Sequence, residues 1–393
     1  MTVGFYSPWP PVPTGVADYA AALLPAMQRY GAVMRDAPQA DIRLYHLGNT
    51  QLHREVYAQA LAEPGVVVLH DAVLNHFYIG CLDRQTYVDE FVFNYGEWAR
   101  DLACELWRDR SRCACDHRYF DYPMLRRVAT ISRALIVHNP KAARTVRTHA
   151  PSARVYEIPH LWQPEAPLAD EVHRARELLG FGPGAFVFGV FGYLRESKRL
   201  SSVLRAFDRV RHMARNLARE PALLVAGSFV SEQLKHALAP ALGGPGIRYV
   251  GHTDSARFLT LAAAADACIN LRHPSAGETS GITIRLMGLG KPVVLTDAQE
   301  VEDLPEGTCV RVKPDAAEVR TLADYMRWLC EFPEDARELG RRARRHIQAH
   351  HHVDSVARRY WEVLVEEFQR STWGGLSGGS RLSAGFSGLS TSN

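Results

Sequence analysis

Lysine is scarce in this chain: of 46 basic residues among 393, five are lysine (Lys141, Lys198, Lys235, Lys291 and Lys313). A lysine in a turn that could touch a substrate therefore stands out. Net charge is equally sparse, since 46 Lys and Arg against 43 Asp and Glu leave +3. That balance gives no reason to expect a nucleic-acid partner. Long apolar runs are missing too: the longest, such as residues 186–191, fall far short of the ~20 residues a membrane helix needs. The first residues lack a basic stretch leading into an apolar run and a cleavage site. Seven cysteines, an odd number over such a length, read as reduced thiols and not as a disulfide scaffold. The expectation is a cytoplasmic protein without a transmembrane segment, with peripheral attachment at the inner membrane face left open.

Two phosphate-binding signatures are also absent. There is no G-x4-GK[ST] loop, and the glycine triplet Gly180, Gly182, Gly184 precedes its strand, whereas a dinucleotide fingerprint follows one. Neither a P-loop NTPase nor a nicotinamide enzyme is expected. Cys104, Cys113, Cys115 and His117 have a C-x8-C-x-C-x-H spacing. Structural zinc sites more often use closer cysteine pairs, so these read as buried thiols and no metal is assigned.

What is present is rhythm. Short apolar runs at residues 3–6, 42–47, 66–69, 134–138 and 155–158 read as strands buried on both faces. Helical stretches at 16–30, 73–82, within 84–133 and at 140–149 lie between them. The pattern repeats after a proline-rich segment, with strands at 186–191, 222–226, 247–250, 267–271, 292–295 and 309–312 and helices at 200–219, 255–265, 281–289 and 316–332. The fold class expected is α/β: two Rossmann-like, doubly wound parallel domains facing a central cleft. The divisions are 1–160, a 161–184 linker, 185–350, a helix at 351–370 that could cross back to the first domain, and a Gly/Ser tail at 371–393. The basic run Arg341, Arg342, Arg344, Arg345 reads as a solvated helix face.

In such sheets ligands bind beyond the carboxyl ends of the strands, so the turns there hold the candidate residues. After the first strand, a loop stiffened by Pro8, Pro10, Pro11 and Pro13 leads to Gly15, where the backbone can approach a ligand. Asp18 follows, facing the cleft or serving the helix start. His70 and Asp71 close a later strand, where a catalytic or a purely structural histidine would both fit. In the second half Phe191-Gly192-Tyr193-Leu194-Arg195-Glu196-Ser197-Lys198 places an ammonium one turn after a strand, where it could offset a leaving phosphate. The most informative stretch is residues 271–285, a strand end, a Gly-flanked loop and a helix start. Amides of Thr279, Ser280, Gly281 and Ile282 would suit an anion. Glu278 would repel one, but accepts hydrogen bonds from a neutral polyol; capping the helix is its alternative role.

With those residues in place, the chain resembles bacterial glycosyltransferases of family 4, which have the GT-B fold. The resemblance runs from residue 3 to about 369 through PPVPTGVADY (10–19), VVVLHDAVLNHF (66–77), FGYLRESKR (191–199), AADACINLRHPSAGETSG (264–281) and GKPVVLT (290–296). It implies transfer of a sugar from a UDP- or GDP-sugar with retention at the anomeric carbon, without a metal and with no cofactor. It also implies Gly15 near the donor phosphates, His70 on the donor sugar, Lys198 on the diphosphate, Glu278 on sugar hydroxyls, and Thr253 in a turn bordering the base. Two departures stand out. The family often has arginine where this chain has Tyr193, so Arg195 or Arg285 would supply that cation. The second glutamate of the Glu-x7-Glu motif is Leu286, which leaves ribose recognition open.

The mechanism expected is front-face substitution, in which Lys198 and the helix amides meet the charge on the departing diphosphate. Alternatives are a nucleotide-sugar epimerase or hydrolase on the same fold, an inverting transferase using Asp18 or Asp71 as base, and a noncatalytic binding protein. The acceptor could be a glycan, lipid-linked or a small molecule. The aromatic, Arg-rich residues 87–122 are expected to line or cover its site, or to pack as helices or form a homodimer contact.

Overall fold

The computed structural model describes residues 1–213 and 217–374. Among the described residues, twelve strands form two sheets. The first contains β1 (Thr2–Tyr6), β2 (Ala32–Arg35), β3 (Ile42–Leu47), β4 (Val66–Leu69), β5 (Ala134–Val137) and β6 (Val155–Glu157), ordered β2-β1-β3-β4-β5-β6 and parallel throughout. The second contains β7 (Ala185–Phe191), β8 (Glu220–Ala226), β9 (Ile247–Val250), β10 (Ala267–Asn270), β11 (Val293–Thr296) and β12 (Val310–Val312), ordered β12-β11-β10-β7-β8-β9, also parallel. The α/β architecture of two doubly wound domains expected from the sequence is present.

Burial on both faces explains the strands' continuous apolar sequences. Along β4, Val66 and Val68 join one core while Val67 and Leu69 join the core on the opposite face. In β7, Phe186, Phe188 and Val190 alternate in the same way with Val187 and Phe191. Each sheet reverses its winding once, between β1 and β3 and between β7 and β10. Crevices open at such switch points, and these two face each other.

Some elements differ from expectation. The stretch 84–133 breaks into helices Arg84–Tyr95, Arg100–Arg108, Arg118–Asp121 and Arg126–Ile131. The last helix, Val353–Gly374, runs past the expected start of the tail at 371; the remainder of that tail lies outside the described residues. This helix packs Val356, Ala357, Tyr360, Val363 and Leu364 into the core of the first sheet. The outgoing and returning segments are tied where they pass: Trp162 N–H donates to His351 C=O at 2.6 Å, and Val353 N–H to Trp162 C=O at 2.9 Å. None of the described helices is long and apolar enough to cross a membrane.

Candidate active site

A cavity of about 350 Å³ lies between the facing switch points. The first domain lines it with Gly15, Asp18 and Tyr19 after β1, Asn49, Thr50 and His53 after β3, and His70 and Asp71 after β4. The second supplies Arg195 and Lys198 after β7, Arg272 after β10, and Glu278, Thr279, Ser280, Gly281, Ile282 and Arg285 around the Gly281–Gly288 helix. Thus every sequence candidate except Thr253 reaches one cavity; its neighbour Ser255 lines it instead. No residue of 84–133 lines it, so that stretch does not shape this cavity. Its side chains pack into the first core, as Tyr87, Phe91 and Tyr119 do. Among the described residues no set of His, Cys, Asp or Glu gathers as metal ligands.

The first domain also fixes the loop before the Gly281–Gly288 helix. Asn139 Nδ2 donates to Gly277 C=O and to Thr279 Oγ1, both at 3.0 Å. Gly277 has φ +77° and touches the first domain, where a Cβ would stand 2.9 Å from Ala72 Cβ. Only glycine satisfies both demands cheaply. The helix itself is capped by Ser280, whose Oγ accepts from Thr283 N–H at 3.3 Å, so its free amides open on the cavity.

Four cations border that helix start. Lys198 is buried and donates to Phe191 C=O at 3.2 Å and to Asn270 Oδ1. Burial, then Arg272 and Arg195, push its ammonium well below the usual lysine range, with Glu278 opposing. Burial likewise lowers Arg195. Arg285 donates to Ser255 Oγ at 2.7 Å and stacks 4.4 Å from the Phe258 ring centre. Arg272 pairs with Glu278, whose carboxylate also accepts from Ser275 Oγ at 3.0 Å and Ala276 N–H at 2.7 Å. Burial raises the Glu278 carboxyl, but Arg272 and these donors more than offset it and hold it below the usual value.

Asp71 is the opposite case: burial, then the Glu278 charge, push it up to about 7, although Asn49 N–H donates to it at 2.7 Å. In Asp18 partial burial raises the carboxyl against the Arg285 charge. His70 sits in a column of imidazoles. His138 Nδ1 donates to Ile158 C=O at 3.0 Å, so in neutral His138 the other nitrogen accepts from His70 Nδ1 at 3.3 Å. His70 Nε2 in turn accepts from His46 Nδ1 at 2.9 Å. Both His70 nitrogens are thereby engaged, and burial holds its basicity well below the ordinary range.

Sequence reasoning did not single out Asn270, Arg272, Asn139, His53 or His160. Asn270 carried a signal, being a polar residue closing an otherwise apolar strand. Its amide joins Lys198 to Ser280 Oγ at 2.8 Å and Thr283 Oγ1 at 2.6 Å. Leu286, which replaces the second motif glutamate, is wholly buried and offers nothing to the cavity.

Comparison with known proteins agrees with this geometry. Residues 205–362 match a family model described as glycosyl transferase-like. No curated protein sequence matches the chain. Among solved structures, sucrose-phosphate synthase from Thermosynechococcus elongatus aligns with TM-score 0.66 at 16% identity over 94% of this chain and 100% of its own. Anabaena Alr3699/HepE, in complex with UDP and glucose, aligns with TM-score 0.63 at 14% identity over 93% and 100%. WaaG, a glycosyltransferase involved in lipopolysaccharide biosynthesis, gives 0.59 at 13% identity over 92% and 99%. At these identities the likeness establishes architecture: the chain has the GT-B fold.

Proposed function

We propose that this chain is a retaining glycosyltransferase of the family 4 type, moving a hexose from a nucleotide-diphosphate sugar to an acceptor hydroxyl. The observation that carries the proposal is the convergence, in one interdomain cavity, of Lys198, Arg195, Arg272 and Arg285 on the start of the Gly281–Gly288 helix, beside the carboxylates of Asp71 and Glu278. Cations and helix amides suit a diphosphate; carboxylates suit the hydroxyls of the sugar attached to it. Matching residues 205–362 to a glycosyl transferase-like model supports the same reading.

In the proposed reaction the acceptor oxygen bonds to the anomeric carbon from the face the diphosphate leaves. The bond from that carbon to the β-phosphate oxygen breaks, and the acceptor proton passes to the departing oxygen. Lys198 and the helix amides meet the charge appearing there, where preorganised donors contribute most. His70, with both nitrogens engaged, would act by shaping the sugar pocket. The nucleotide sugar is substrate, and the scheme calls on no resident cofactor or metal.

UDP-glucose is the first donor to try, because an Anabaena neighbour is seen with it. The test is release of UDP from UDP-glucose and a panel of other UDP- and GDP-sugars, with and without glycan, lipid-linked and small-molecule acceptors. Proton NMR then reads the anomeric configuration of the product. Acceptor-dependent release with retention supports the proposal; an inverted product, or no release with any donor, overturns it.

A further inference from the structure

Two carboxylates border the Gly281–Gly288 helix at different levels. Glu278 lies in the loop before it, whereas Arg285 lies one turn into it, on the face shared with Gly281. Beside Arg285 stands Glu165, which the chain brings to the cavity three residues after Trp162, on the segment joining the two domains. The Glu165 side chain keeps 37% of its surface exposed while lining the cavity, so a ligand can reach it. Its one polar contact among the described residues is with Arg285 Nη2, at 3.5 Å. That is longer than a well-formed hydrogen bond, and Arg285 is bonded more closely to Ser255 Oγ, at 2.7 Å. An ionised carboxylate only accepts, and the acceptor capacity of Glu165 is largely unused.

The order of groups along the cavity selects what Glu165 meets. Glu278 and Asp71 stand at the loop before the helix, Lys198 and the free amides at its start, and Arg285, Ser255 and Glu165 a turn further on. A diphosphate resting on the amides carries its two substituents on opposite phosphorus atoms. With the transferred sugar directed to Glu278 and Asp71, the nucleoside extends toward Arg285. The helix, GITIRLMG, has no acidic residue of its own to receive it. The donors that a ribonucleoside presents next to its phosphates are two vicinal hydroxyls, and the two oxygens of one carboxylate can accept from both. Asp18, of the first domain, also feels the Arg285 charge, but the carboxylate in contact with Arg285 is that of Glu165.

Building on the proposed glycosyltransferase reading, we propose that Glu165 accepts hydrogen bonds from the ribose hydroxyls of the donor nucleotide, which makes this linker residue specificity-determining for a ribonucleotide over its deoxy counterpart.

The full chain is titrated calorimetrically with UDP and GDP, with their 2′-deoxy and 3′-deoxy analogues, and with inorganic pyrophosphate. The proteins are wild type, Glu165→Ala and Asp18→Asn. In wild type, removing a ribose hydroxyl from the nucleotide that binds should weaken it by about tenfold, the loss expected when a carboxylate loses a hydroxyl donor. In Glu165→Ala that difference should shrink to about twofold or less. Pyrophosphate affinity should stay within about threefold there, since the exposed Arg285 pair contributes little, and this arm also shows that the site is folded. In Asp18→Asn the difference should remain. A difference that persists in Glu165→Ala, is absent from wild type, or disappears in Asp18→Asn overturns this inference alone. Loss of pyrophosphate binding in Glu165→Ala assigns the residue to holding Arg285 and overturns it too. Failure of both UDP and GDP to bind wild type overturns the nucleotide-sugar reading and this inference with it.

Discussion

Lys198 Nζ donates to the side-chain carbonyl of Asn270, and the amide nitrogen of the same Asn270 donates to Ser280 and Thr283 at the start of the helix facing the cleft. One amide therefore couples the ammonium to the helix start proposed to receive the diphosphate. Lys198→Ala should lower turnover by about two orders of magnitude or more, the range lost with one preorganised transition-state donor. Asn270→Leu should cost less, about tenfold, by letting the ammonium and the helix start drift apart. Steady-state release of UDP measures both, with circular dichroism to confirm folding. Near-normal turnover in Lys198→Ala removes Lys198 from the mechanism.

The depressed basicity of Lys198 gives a calorimetric signature. In the free protein burial and two arginines disfavour its charged form. A bound diphosphate brings negative charge and must raise that pKa. Binding then takes up protons wherever the pH lies between the free and bound values, and affinity falls as pH rises through that window. Titrating UDP at one pH in buffers of different ionisation enthalpy should show uptake in wild type and less in Lys198→Met. Proton release on binding contradicts this account.

Acid should unfold the protein early. His53, His138 and His351 are lowered to about 4, His160 to about 3, and His46 and His70 well below the ordinary value, burial leading in each case. Unfolded histidines titrate near ~6.5. Below that pH the unfolded chain binds more protons, so stability falls as pH drops, by up to ~1.4 kcal/mol per pH unit for each histidine. Asp71, raised to about 7, and the carboxyls of Asp18, Asp36, Glu90, Glu300 and Asp303, also raised by burial, act in the opposite sense, and the six histidines must outweigh them. Thermal midpoints should be flat above neutrality and drop steeply between pH ~6.5 and ~5; a flat profile there refutes the prediction.

Strand rhythm made the second sheet readable in advance, because four of its six strands are largely apolar runs, and β9 and β12, interrupted by Arg248 and Arg311, still follow helix-length spacers. The first sheet was less so. β2 was missed because it is an edge strand with a single buried residue, Val33, and so no alternation to detect. The helix Glu232–Leu242 was missed because Pro240 interrupts its pattern. Turn chemistry brought out Gly15, His70, Lys198 and Glu278, since each follows a strand. What no local pattern could show is that both His70 nitrogens face other imidazoles, or that Asn139 of the first domain holds the loop before the Gly281–Gly288 helix. Those relations are between elements far apart in sequence and exist only once the chain is folded.

Asp71 and Glu278 offer a test of the cavity's electrostatics across the domain boundary. The Glu278 charge is the second cause, after burial, of the raised Asp71 carboxyl. Glu278→Gln removes that charge and leaves Arg272 and Arg195 in place, so the Asp71 pKa should fall. Carbon-13 NMR titration of aspartate carboxyls in the free protein reads this directly, and an Asp71 pKa that stays put or rises would separate the two groups. Loss of the Arg272 brace should also raise the KM for donor, because the loop leading into the helix start loses a charged hydrogen bond.

Besides its apolar face, the final helix is tied to the first domain by one buried carboxylate. Glu367 is 1% exposed and accepts from Arg154 at 2.9 and 2.6 Å and from Tyr156 Oη at 2.9 Å. Removing the arginine leaves a buried negative charge with one hydroxyl donor. Stranding a buried ion costs ~3–5 kcal/mol, and since Arg154 is half exposed the expected loss for Arg154→Ala is about 2 kcal/mol. Adding Glu367→Gln removes the stranded charge and should recover part of that loss, a rescue that simple loss of packing would not show. Urea denaturation of the two variants measures both quantities. The double variant should be more stable than Arg154→Ala alone; if it is less stable, Glu367 is not held as a charged group and the helix is anchored by its apolar face.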